Sequence, residues 1–148
     1  MDINQNASVR TERDVIIRGK LGKVWNTFTN VNEWSRAYKQ ISMSQLNGRF
    51  EAGNKFKCRI GRGPEQIYSV EEVVFQQKIG LVFRRGNSIL IQIFEFIDRY
   101  DGTVRVVCRA SVSGGCVLHY FGGLITPRFD KVIGEQLNAL KTVCENSR

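Results

Sequence analysis

The feature that most constrains this chain is a single change of hydrophobic period near its C-terminal end. Val104, Val106, Cys108, Ala110 and Val112 alternate with Arg105, Arg109 and Ser111, the pattern of a strand with one buried face and one solvated face. Beyond Gly114-Gly115 the apolar residues Phe129, Ile133, Leu137, Leu140 and Cys144 instead fall three and four apart, which predicts one long amphipathic helix. A half-buried sheet and a one-sided helix must each cover their apolar side, and here each can cover the other.

Upstream, strand character runs from about Ile41 to Val112. Turn signals stand at Asn47-Gly48, Gly53-Asn54, Gly61-Arg62-Gly63-Pro64, Gly86-Asn87 and Asp101-Gly102. Strands joined in series by short turns predict an antiparallel meander of six, or seven if the extended segment ending at Val15, Ile16 and Ile17 joins it. Phe56, Cys58 and Ile60 alternate with Lys55, Lys57 and Arg59, which again gives one wet face. Between the first extended segment and the meander, Leu21, Val24, Trp25 and Phe28 make one helical stripe. Val31, Trp34, Ser35 and Tyr38 repeat the spacing, with Asn30 placed to cap this second short helix. Both tryptophans are expected to face inward. Near the end, Thr126 and Pro127 suit the N-cap and first position of the long helix, so residues 116–125, with the Gly122-Gly123 pair, read as a separate short helix or flap. The fold class is thus α+β, a curved antiparallel sheet gripping a long C-terminal helix, with two short helices after the first strand.

At 148 residues the chain is long enough for one core without staples, so it reads as a single domain over 1–148, with the polar residues 1–8 as a flexible N-terminus. Cys58, Cys108, Cys116 and Cys144 form no C-x-x-C pair, and His119 is the single histidine. No zinc set follows, no metal or cofactor is called for, and the thiols read as reduced and buried. The opening residues lack the apolar core of a signal peptide or membrane span, which points to a cytoplasmic protein. Nothing in the sequence sets an oligomeric state.

Several motifs, taken in order, carry a resemblance. These are V-W at 24–25 followed by Phe28 and Trp34, L-x-G-x-F-x-x-G-x-x-F from Leu46 to Phe56, and V-E-E-V at 70–73. F-E-F at 94–96, D-G-T-V-R-V at 101–106 and the closing F-D-K-V-I-G-E-Q-L-N-A-L-K from Phe129 complete the set. Together they resemble the polyketide cyclase/dehydrase branch of the START-like (SRPBCC, birch-pollen-allergen-like) superfamily over about residues 9 to 145. The chain lacks the proline that the pattern places before its first helix, and has Tyr38 where a second tryptophan follows Trp34. The resemblance implies a helix-grip fold with a deep apolar pocket for a lipid, polyketide, sterol, quinone or similar molecule. It does not fix a reaction.

Alternation assigns the pocket lining. Phe56, Cys58, Tyr68, Phe83, Leu90, Gln92, Phe94, Val106 and Cys108 come from the sheet, Trp25 and Phe28 from the first helix, and Tyr120, Phe121, Ile125, Phe129 and Ile133 from the C-terminal part. Val70, Leu81 and Ala110 fall on the same rows. Gln92 is the conspicuous polar member, and a buried amide must bond a neighbour or a ligand. Tyr68 and Tyr120 offer hydroxyls. Cys58 and Cys108 have no base at useful spacing, His119 lies beside the apolar stripe, and Glu95 alternates outward between Phe94 and Phe96, so no catalytic residue is named.

The first expectation is therefore the binding of a hydrophobic small molecule. A cyclase or dehydratase acting on a polyketide-like substrate is one alternative. Another uses the basic surface: Lys and Arg number 22 against 14 acids, a formal charge of +8, and Lys55, Lys57, Arg59 and Arg62 form an unbroken basic run. That run could meet RNA, a ribosome or an anionic membrane, although a hairpin at Gly61 to Pro64 would bring Glu71 near Lys55. No recognition helix or zinc finger supports specific DNA readout.

Overall fold

Strands that follow one another through short turns pair antiparallel with their neighbours. The computed structural model describes residues 1–7, 9–114 and 125–146, with only the backbone of 125–128. Its strands are β1 (Val9–Arg18), β2 (Ile41–Leu46), β3 (Lys55–Ile60), β4 (Glu65–Val74), β5 (Lys78–Arg85), β6 (Ser88–Asp98) and β7 (Thr103–Ser113). They form one sheet in the order β1-β7-β6-β5-β4-β3-β2, so the meander is complete and β1 joins its far edge through β7. The helices are α1 (Leu21–Thr29), a 3-10 turn (Val31–Glu33) running into α2 (Trp34–Ala37), and α3 (Ile125–Asn146).

The concave face is the core. Val104, Val106, Cys108, Ala110 and Val112 are all essentially inaccessible, as their alternation requires, and α3 presents Phe129, Ile133, Leu137, Leu140 and Cys144 to them. Polar ties set the helix along β1. The Thr11 hydroxyl and Arg13 guanidinium, the latter at 2.7 Å, both bond Asp130, and Lys141 donates to the Ile16 carbonyl at 2.7 Å. Gly134 leaves room for the Arg13 side chain: a Cβ there would stand 2.8 Å from its guanidinium.

Several local expectations are corrected. Helix α3 starts at Ile125, so Thr126 and Pro127 lie inside its first turn; proline is tolerated there because first-turn N–H groups have no helical partner. Asn30 makes no side-chain cap; its N–H closes α1 on the Asn26 carbonyl, and the second helix opens as a 3-10 turn. Ile60 is 46% exposed because it lies at the outer end of β3, paired with edge residue Ile41, beyond the reach of α3. Lys55 is opposite Ser69, while Glu71, beside an irregularity in β4, stands 3.8 Å from Arg84. Finally, β4 and β5 are joined by a turn over 75–77 that contains neither Gly nor Pro, with Gln76 in the left-handed region at φ 56.

Residues 1–7, expected to be flexible, make specific contacts on the convex face. Asp2 pairs with Arg109 at 2.8 Å, the Asn4 N–H donates to the Ser111 hydroxyl at 3.1 Å, and the Met1 sulfur rests where a side chain at Gly80 would stand. Ile93, between Gly80 and Arg109 in the register, is fully buried in consequence.

Candidate functional site

Strand register builds the concave wall. Phe56 is opposite Tyr68, Tyr68 opposite Phe83, and Phe83 opposite Leu90, so three aromatic rings fall in one row across neighbouring strands. Strands lie about 4.8 Å apart. The rings stack at matching distances: Phe56 and Tyr68 at 5.2 Å and 8° between planes, Tyr68 and Phe83 at 5.1 Å and 30°. Phe50, from the β2–β3 loop, extends the row at 6.1 Å from Phe56.

The short helices close one end of this wall. Trp34 meets Phe56 edge-on at 5.2 Å and donates its indole N–H to the Phe28 carbonyl at 2.9 Å, so the ring is packed without an orphaned donor. Phe28 packs on Phe94 at 4.7 Å and Phe96 at 5.5 Å, and Trp25 on Phe96 at 5.0 Å. Trp25 is buried and Trp34 partly buried; both contribute to the wall, as their helical phase requires.

Of the expected lining, Trp25, Phe28, Phe56, Cys58, Tyr68, Phe83, Leu90, Phe94, Val106, Cys108, Phe129 and Ile133 are all members of one buried cluster. Gln92 joins them at 3% exposure, between Leu81 and Ala110 in the register. Its amide Nε2 donates to Oε1 of Gln136 on α3 at 3.0 Å, so the neighbour that the sequence left unnamed is a residue 44 positions away. Tyr120, Phe121, His119, Cys116 and the proposed flap over 116–124 lie outside the described residues, as does the side chain of Ile125.

Burial governs the chemistry of the described thiols. Burial pushes the Cys58 thiol up to about 11 and raises Cys108 and Cys144 as well, so all three are poor nucleophiles near neutral pH. Glu95 faces outward and pairs with Arg109 at 2.9 Å. The Tyr68 hydroxyl bonds Gln66 Oε1 at 3.3 Å. Among the described residues no three His, Cys, Asp or Glu side chains converge on a possible metal position, and no helix is long and apolar enough to cross a membrane.

Sequence reasoning missed two polar residues of this face. Gln136 has the helical phase of Phe129, Ile133 and Leu140, at the margin of the apolar stripe of α3, and that spacing was the signal for it, although it is polar and itself exposed. Ser88 follows the Gly86-Asn87 turn, one step of the same alternation before Leu90, and is 2% exposed; its small polar side chain next to a turn carries no apolar signal.

No protein-family model and no curated protein sequence matches the chain. Solved structures do. A START superfamily protein from Mycobacterium smegmatis superposes with a TM-score of 0.69 at 12% identity, covering 92% of this chain and 94% of that one. Norcoclaurine synthase from Thalictrum flavum, solved with a transition-state analogue, gives 0.69 at 7% identity, covering 91% and 92%. The di-domain ARO/CYC protein StfQ of the steffimycin biosynthetic pathway gives 0.74 at 11% identity, covering 93% of this chain and 49% of StfQ, so the chain spans about half of that protein. Identities this low speak for architecture alone. This chain shares the fold of these proteins, a curved antiparallel sheet gripping a long C-terminal helix.

Proposed function

We propose that this protein binds a hydrophobic small molecule against the concave face, between the aromatic row and α3. The observation that carries the reading is the row Phe50, Phe56, Tyr68 and Phe83, closed by Phe28 and Trp34. Apolar walls with a few placed polar groups are the usual composition of small-molecule sites. The fold neighbours support it: one was solved in complex with a transition-state analogue, and another is a di-domain ARO/CYC protein of a biosynthetic pathway. The first test is native mass spectrometry of the purified protein, with organic extraction of any mass retained. A discrete adduct of a few hundred daltons supports the reading, and incubation of that molecule with fresh protein separates a carrier from a cyclase or dehydratase. A clean unliganded mass, with no binding of apolar fluorescent probes, refutes it.

A second reading is favoured by the division of the convex face. Residues 1–7 cover part of its β5–β7 side, whereas Lys55, Lys57 and Arg59 on β3 stand beside exposed Ile67, the cross-strand partner of Lys57. Spaced two residues apart, the three cations are roughly 7 Å from one another along the strand. This face would suit a polyanion. Binding of RNA that weakens steeply with salt, and is lost in Lys55→Glu/Lys57→Glu, would bring it forward.

A further inference from the structure

Ser88 opens β6 and is 2% exposed, and its Oγ is the one buried side-chain polar atom among the described residues that has no hydrogen-bond partner. Alternation along β6 places it on the face of Leu90, Gln92 and Phe94, the face that carries the aromatic row. The turn that holds it is tightly packed: a Cβ at Gly114 would stand 1.9 Å from the Asn87 carbonyl oxygen, and Gly114 itself needs φ +108. An unpaired buried hydroxyl costs a folded chain stability, and an alanine would fit the same place without that cost. Such an orphan has a purpose if something brought from outside completes it.

Resting on the ligand-binding reading above, we infer that the Ser88 hydroxyl is the polar contact of the bound molecule. The ligand is then an apolar body carrying one hydrogen-bonding oxygen, a hydroxyl or a carbonyl, since a serine hydroxyl both donates and accepts. Its oxygen sits at the β5–β6 end of the concave face, and its apolar part runs past Leu90 and Phe83 toward Tyr68 and Phe56. Gln92 has a separate task. It lies four residues along the same strand, roughly 13 Å from Ser88, and its amide already bonds Gln136. Ser88 thus sets which end of an apolar molecule is recognised, while the rings and aliphatic side chains supply affinity.

The test uses two probes of one shape, 2-naphthol and 2-methylnaphthalene, titrated calorimetrically into the wild type, Ser88→Ala and Gln92→Leu. The wild type should prefer the naphthol by several-fold, up to roughly tenfold, relative to the ratio shown by Ser88→Ala. Ser88→Ala should keep its affinity for the methyl probe, which also shows that its fold is intact. Gln92→Leu should keep the wild-type ratio. Equal ratios in wild type and Ser88→Ala would overturn the assignment, and so would a ratio lost in Gln92→Leu, which would move the polar contact to Gln92. If the wild type binds neither probe, the ligand-binding reading itself fails and the role of Ser88 falls with it; binding of both with equal ratios leaves that reading standing and removes Ser88 alone.

Discussion

Replacing Trp25 by Ala removes the side chain that locks α1 to the sheet. The indole is 4% exposed and lies edge-on to Phe96 at 5.0 Å and to Phe75 at 5.8 Å. A buried aromatic of this kind hides on the order of 150 Å² more apolar surface than alanine, worth about 4 kcal/mol at ~25 cal/mol per Å². Two effects reduce the loss. Alanine favours the helix by up to about 0.7 kcal/mol, and Phe75, 70% exposed on its turn, can swing into part of the space. The expected cost is therefore about 3 kcal/mol, a large share of the ~5–15 kcal/mol typical of a domain. Urea titration followed by fluorescence of Trp34, the remaining tryptophan, measures it directly. Phe75→Ala serves as the control and should cost less than about 1 kcal/mol. A loss below about 1 kcal/mol for Trp25→Ala would show that its ring is solvated and that the helical phase assigned to α1 is wrong.

The Gln92–Gln136 pair should respond asymmetrically: Gln136→Ala leaves a buried amide unpaired and costs about 1–3 kcal/mol, whereas Gln92→Leu leaves only an exposed amide free to water and should be nearly neutral. Equal losses in denaturant titration would contradict that account. In a Cys116→Ser protein, Ellman's reagent at pH 8 should find Cys58, Cys108 and Cys144 unreactive until denaturant is added, because burial raises all three thiols; fast native-state release would mean they are accessible. Asp130 is held below the usual carboxylate range first by the Thr11 hydroxyl and then by Arg13. Its folded pKa lies under its unfolded value of about 3.9, so its contribution is present above that pH and is lost as the pH falls through the folded value. Thermal midpoints measured from pH 5 to pH 2 should accordingly fall less steeply for Asp130→Asn than for wild type, and identical slopes would refute the coupling.

Much of this fold is written in local pattern. A period of two assigned Phe56, Tyr68, Phe83, Leu90, Gln92 and Val104 to Val112 to the inner face, and a period near 3.6 assigned Phe129 to Cys144 to the helix that covers them; burial follows both. The pleat and the helical turn fix those directions whatever lies opposite. The turn at 75–77 escaped because its reversal uses Gln76 at positive φ, with no glycine to announce it. Thr126 and Pro127 misled because capping residues are tolerated one step inside a helix as well as at its start.

The sequence by itself therefore determined which side chains face inward, and with that the helix grip and its apolar lining. Only tertiary structure decided what those side chains meet. Register aligned Phe56, Tyr68 and Phe83 into one stack, set Lys55 opposite Ser69 instead of near Glu71, and brought Gln136 across 44 residues to Gln92. Burial of Ser88 without a partner belongs to the same class. Periodicity is a property of one segment, whereas register and hydrogen-bond satisfaction are properties of two segments that are distant in the chain, and no single stretch of sequence contains both.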